Sequence, residues 1–179
     1  METKRLFVAV ELPIELRKEL HKFSLPLDQE GIKRVAEDNL HLTLRFIGEV
    51  PITVVPEIIA KLQHVEFTSF TATIKTVGAF PNINHVNIVW VGLESEKMPE
   101  LAAAVVSRLK GIGKEDERPF SAHLTIARLK HKMDLRKFLE DNRSKEFGRF
   151  TVSSFTLFES RLTPQGPVYT RVAEFKAQY

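Results

Sequence analysis

The chain has 179 residues, 43% of them hydrophobic and 27% charged, and a formal net charge of +3, values ordinary for a soluble globular protein that exclude disorder as its main state. It contains no cysteine, which removes disulfides, thiolate zinc sites and a cysteine nucleophile at once. The apolar run near the N-terminus is too short for a secretory signal and no stretch reaches the ~18 apolar residues that span a bilayer, so a cytoplasmic protein is expected, with no membrane association.

Arg5 to Leu12 (RLFVAVEL) alternates loosely and is rich in β-formers, which predicts a strand. Pro13 then suits a first helical position, and Ile14, Leu16, Leu20 and Phe23 space out an amphipathic helix. Ile32 to Val35 reads as a short strand and the AEDN segment before His41 as a turn. A strand from His41 is followed by a helix in TVVPEIIAKLQHV that must accommodate Pro56, and Phe67 to Pro81 reads as a further strand. The second half repeats the order: a strand in HVNIVWVGLE, a helix in EKMPELAAAVVSRLKGIG closed by Gly111, a strand from His123, and a helix in LRKFLEDNR that Asp134 would cap. GRFTVSSFTLFES and PVYTRVAEFKA are the last two strands, separated by the turn-prone LTPQG.

The most informative stretch occurs twice, as HLTLRFIG from His41 and as HLTIARLK from His123. Strand parity puts His41, Thr43 and Arg45 on one face and Leu42, Leu44 and Phe46 on the other. In the second copy His123 and Thr125 face one way, Leu124 and Ile126 the other. The copies lie 82 residues apart, and that offset also brings Phe7 onto Val89, the first helix onto the third, and Ile74 onto Thr156. The expected fold is therefore α+β and duplicated. It is one domain of two lobes, approximately residues 1–83 and 84–179 with strand exchange between them allowed, each an antiparallel sheet with outer helices, related by a pseudo-two-fold axis around a central cleft.

Two imidazoles suit a reaction that moves two protons near neutrality, since each is able to act as acid or base. Phosphodiester cleavage has that need: one histidine activates the attacking oxygen, another protonates the leaving one, and hydroxyls or an arginine hold the phosphate oxygens. His21, His64, His85 and His131 show no i, i+4 pairing among themselves or with the motif histidines. A lone strand histidine is usually structural, so no metal site is expected, and the scheme requires no cofactor.

With both triplets in their context, the chain resembles the two-histidine phosphoesterases, and among them the bacterial and archaeal RNA 2′,3′-cyclic phosphodiesterases, also called 2′-5′ RNA ligases. The likeness rests on RLFVAVELP, NLHLTLRFIG, RPFSAHLTIAR and their spacing, and covers nearly the whole chain. It implies metal-independent opening of RNA 2′,3′-cyclic phosphate ends to a 2′-phosphate, with 2′-5′ ligation as the reverse reaction, by a monomer acting on RNA ends such as those of tRNA halves. By the same likeness His41 would protonate the departing 3′-oxygen, His123 would activate water, Thr43 and Thr125 would hold phosphate oxygens, and Arg128 would add charge. Where that family often carries a tryptophan before the first motif and a proline before the second histidine, this chain has Arg34 and Ala122.

Parity from His123 sends Arg128 to the apolar face unless the strand bulges or ends after Ala127, which makes Arg45 its rival as the phosphate ligand. Phe46, the positional counterpart of Arg128, is either core or a platform for a base. Two alternatives to the phosphodiesterase stay open: a non-catalytic RNA-end-binding module, and the same chemistry on small cyclic nucleotides or an ADP-ribose cyclic phosphate.

Overall fold

Two antiparallel sheets hold all nine strands of the computed structural model, which describes residues 1–178. In chain order the elements are β1 (Thr3–Glu11), α1 (Ile14–Phe23), β2 (Ile32–Arg34), β3 (His41–Pro51), α2 (Val55–Leu62), β4 (Phe70–Asn82) and β5 (His85–Glu94). There follow α3 (Lys97–Arg108), β6 (His123–Leu129), α4 (Arg136–Asn142), β7 (Glu146–Val152), β8 (Ser154–Thr163) and β9 (Gly166–Lys176). Pro56 falls in the first turn of α2, where its missing N–H removes no helical bond. The Arg136 amide donates to Asp134 Oδ1 at 3.1 Å at the start of α4. Gly111 does not close α3, which ends at Arg108; it makes a separate turn at φ +80°, its N–H donating to Glu115 Oε1 at 2.8 Å.

The sheet orders are β3-β1-β8-β9 and β2-β6-β5-β4-β7. Apart from β2 the two orders correspond position by position: β1 to β5, β3 to β6, β8 to β4 and β9 to β7. The 82-residue offset relates the first three of these pairs but not β9 and β7, and β4 and β8 each lie in the sheet of the other half. The expected single strand GRFTVSSFTLFES is two, broken at Ser153. β7 pairs with β4 in one sheet, and β8 crosses to pair with β1 in the other. The only mark of the change of sheet in the extended run is a slip of one residue in the alternation at Ser153, from Phe150 and Val152 buried before it to Phe155 and Leu157 buried after it.

Helices cover the outer faces. α3 buries Met98, Leu101, Ala102 and Val105 and packs on β3, while α4 packs beside β4 and α1 beside β7. Burial of each large apolar side chain contributes roughly 1.5–3 kcal/mol. One core cluster runs through both sheets and takes Leu6, Val8 and Val10 of β1. The other face of β1 offers Phe7 and Ala9, which form a separate small cluster with Phe158 and Tyr169. β1 is thus apolar on both faces, and the second face floors the cleft.

Candidate active site

β3 and β6 are the strands through which the two sheets approach one another, and they carry the two motif copies. His41 opens β3 opposite Glu11 of β1, and His123 opens β6 opposite Gly92 of β5. In both copies the first three residues alternate as expected, with Leu42 and Leu124 buried and the histidines and threonines turned away from the core.

Alternation then fails at the same place in both. Val8 pairs with Arg45 and Ala9 with Thr43, leaving Leu44 as a bulge; Val89 pairs with Ala127 and Trp90 with Thr125, leaving Ile126 as its counterpart. An extra residue in one strand reverses the facing of every side chain after it. Arg45 therefore turns inward, contrary to parity, and is 6% exposed; its guanidinium donates to the carbonyls of Ile112 (2.7 Å), Val106 (3.3 Å) and Lys114 (3.3 Å). Arg128 turns outward, to the face of His123 and Thr125. Phe46, which parity placed on the apolar face, turns outward on the His41 side and is 38% exposed.

His41 Nδ1 lies 2.6 Å from the Asn39 carbonyl, and since a carbonyl only accepts, the proton sits on Nδ1. Nε2, 3.0 Å from Thr43 Oγ1, is then the nitrogen that can exchange a proton. The ring stands 4.9 Å from Phe7 and meets Tyr169 edge-on at 5.2 Å. Burial pushes the His41 pKa down, against the Asn39 carbonyl and the Glu11 carboxylate, which favour the protonated ring. Burial also acts to raise the pKa of Glu11, but Arg171 donates to it at 2.6 and 3.0 Å and Thr156 at 3.1 Å, and the group is held below its ordinary value.

His123 has a different setting. Its ring meets Phe80 edge-on at 4.8 Å and lies 6.3 Å from Trp90. Its Nδ1 is buried without a well-formed hydrogen bond, although the Ser121 carbonyl is near enough to favour the proton. Burial pushes the His123 pKa down, and the charges of Arg118 and Arg128 push the same way. Where His41 has a carboxylate, His123 has two guanidiniums.

Arg128 links the lobes. It is close enough to act on His123 in its own lobe and on the Tyr169 hydroxyl in the other, whose pKa burial raises and Arg128 and Arg5 pull back. Tyr169 stands against His41, and the charge of Arg128 acts on both Tyr169 and His123. A two-histidine, two-threonine, one-arginine set of this kind offers proton transfer and anion binding in one place. Arg34, by contrast, spends its guanidinium on Ser24 Oγ (3.0 Å) and the His21 carbonyl (2.7 Å). Tyr169, Phe7, Trp90, Phe80, Glu11 and Arg118 are site neighbours that the motif reading missed. The one signal for any of them is that β1 is apolar on both faces, which marks an inner strand without saying which face is core.

The LigT like Phosphoesterase family model matches the chain twice, over residues 10–90 and 91–169, one match to each copy of the motif. The chain belongs to this family. Among its LigT-like relatives, the RNA 2′,3′-cyclic phosphodiesterase of Methanocaldococcus jannaschii is 32% identical over 96% of this chain and 99% of its own length. That of Archaeoglobus fulgidus is 36% identical over the same shares. The crystal structure of Escherichia coli LigT complexed with 3′-AMP matches this LigT-like fold with a TM-score of 0.82 at 26% identity, over 99% of this chain and 100% of the other.

Proposed function

We propose that this LigT-like protein hydrolyses the 2′,3′-cyclic phosphate ends of RNA to 2′-phosphates without a metal, using His41 as general acid and His123 as general base, and that 2′-5′ ligation is the same step reversed. The observation that carries the reading is the pair of His-x-Thr triplets on the two strands through which the sheets meet. The names of the archaeal relatives and the 3′-phosphorylated nucleotide held by the Escherichia coli protein point to the same substrate class.

In the forward direction a water gives its proton to His123 Nε2 as its oxygen forms a bond to phosphorus. The bond from phosphorus to the 3′-oxygen breaks, His41 Nε2 protonates that oxygen, and the phosphate stays on the 2′-oxygen. Thr43, Thr125 and Arg128 donate to the non-bridging oxygens, where charge grows. The unequal surroundings fit these roles. The Glu11 carboxylate favours a charged His41, while Arg118 and Arg128 favour a neutral His123. The substrates envisaged are RNA ends of this kind, tRNA halves among them, taken up by a monomer. Among the described residues no helix is long and apolar enough to cross a membrane.

The pH profile of kcat/KM, recorded with chelator present on an oligonucleotide ending in a 2′,3′-cyclic phosphate, tests this assignment. The acid must be protonated, so the rate falls as pH rises through its pKa. The base must be neutral, so the rate falls as pH drops through its own. Both histidines lie below the ordinary value of about 6.5, which places the bell on the acid side of that value. A rate that climbs steadily with pH, or that chelator abolishes, would contradict the assignment.

A further inference from the structure

We propose that Arg5 anchors a second phosphate-binding subsite at the end of the cleft floor, one that takes the phosphodiester preceding the cyclic end and so favours an RNA chain over a mononucleotide. The inference rests on the reaction proposed above and deepens it. In β1, Arg5 shares the face of Phe7 and Ala9, the face that floors the cleft. Its guanidinium carbon lies 5.0 Å from the centroid of the Phe46 ring, which faces the same side. Stacking on an aromatic face orients the planar group and leaves its N–H edges free for a bidentate acceptor.

The cross-strand register partner of Arg5 is Glu49, but the two side chains are not in contact. Among the described residues no carboxylate forms an ion pair with Arg5, and its Nε is buried without a partner. The neighbouring Lys4, by contrast, is taken by Glu159 at 2.7 Å. A depression of about 260 Å³ opens beside Arg5, lined also by Ser160, Arg161 and Glu49. With Glu159 already neutralised by Lys4, the depression sets two guanidiniums and the hydroxyls of Thr3 and Ser160 against the single carboxylate of Glu49. An unpaired guanidinium beside this depression is a ready partner for a phosphate, which its terminal N–H groups would bond.

The position fits the next phosphate of a chain rather than the reacting one. Ala9 is the register partner of Thr43 and Phe7 that of Phe46, so the Arg5 guanidinium, which lies over the Phe46 ring, stands two strand residues from Thr43, about 7 Å along the sheet and close to one internucleotide step. The Arg5 charge also acts on the hydroxyl of Tyr169, whose ring stands against His41.

Adenosine 2′,3′-cyclic phosphate, which has no second phosphate, and a dinucleotide ending in the same group separate the two subsites. With both as substrates, Arg5→Met is expected to lower kcat/KM on the dinucleotide about tenfold more than on the mononucleotide. It should also flatten the salt dependence of the dinucleotide reaction by roughly one phosphate contact. Arg5→Lys, which keeps the charge, recovers most of the ratio. A partly unfolded variant does not distort the readout, because both substrates are measured on the same preparation. Equal losses on the two substrates, or no loss on either, overturn the inference and leave the reaction standing. No turnover of either substrate by the unaltered protein overturns the reaction and the inference with it.

Discussion

Replacing either His41 or His123 with alanine is expected to lower kcat on an RNA 2′,3′-cyclic phosphate by roughly 10²- to 10⁴-fold, the range that a positioned acid or base supplies. The two losses should not add. If both protons move in one displacement, the double variant falls little below the worse single one, as for residues that act as a unit. The leaving group distinguishes the roles. On an activated aryl phosphodiester, whose leaving oxygen needs no proton, His41→Ala should recover most of its rate while His123→Ala should not. Thermal melts provide the control, since His41 also packs on Phe7 and bonds the Asn39 carbonyl. A variant that melts like the parent and keeps its turnover would remove that histidine from the reaction.

The largest effect on stability is expected at Arg45. Its guanidinium is buried and joins the carbonyls of Val106, Ile112 and Lys114, so it ties β3 to the last turn of α3 and the loop after it. Burial pushes its pKa down, with the charge of Glu115 opposing. Arg45→Met keeps much of the stem but strips three carbonyls of a charged donor, at a cost of about 3 kcal/mol net. For a chain of this size that is a fall in Tm of roughly 6–12 °C. Well below the melt, kcat/KM should stay near the parent value, because the side chain points away from the cleft. A loss of kcat/KM with an unchanged Tm would instead make Arg45 the phosphate ligand that strand parity suggests.

Much of the architecture was legible because duplication leaves a trace that survives divergence. His41 and His123 stand out as identical polar residues at one spacing, where core packing has no use for them. The order strand, helix, strand, helix, strand follows from ordinary periodicity around them. The misreadings have a common physical origin in the counting of residues by two. A bulge at Leu44 and another at Ile126 reverse the faces of Arg45, Phe46 and Arg128, and nothing in HLTLRF or HLTIAR announces an unpaired residue. Likewise Ser153 moves the chain from one sheet to the other between two stretches that look like one strand. Tyr169 was invisible for another reason: it comes to His41 across the whole length of the chain, through the pairing of β9 with β8 and β8 with β1. Arg5, four residues into β1, has the same character, since its meaning depends on Phe46 having turned toward it.

The position of the phosphate in the product tests the central claim most directly. The pure protein is incubated with a short RNA ending in a 2′,3′-cyclic phosphate, with chelator present and no nucleotide added, and the product end is identified. A 2′-phosphate is the predicted product, because His41 protonates the 3′-oxygen as it leaves. A 3′-phosphate would show that the other bond breaks and contradict the roles given to the two histidines, and unchanged RNA that binds in the cleft would contradict catalysis itself.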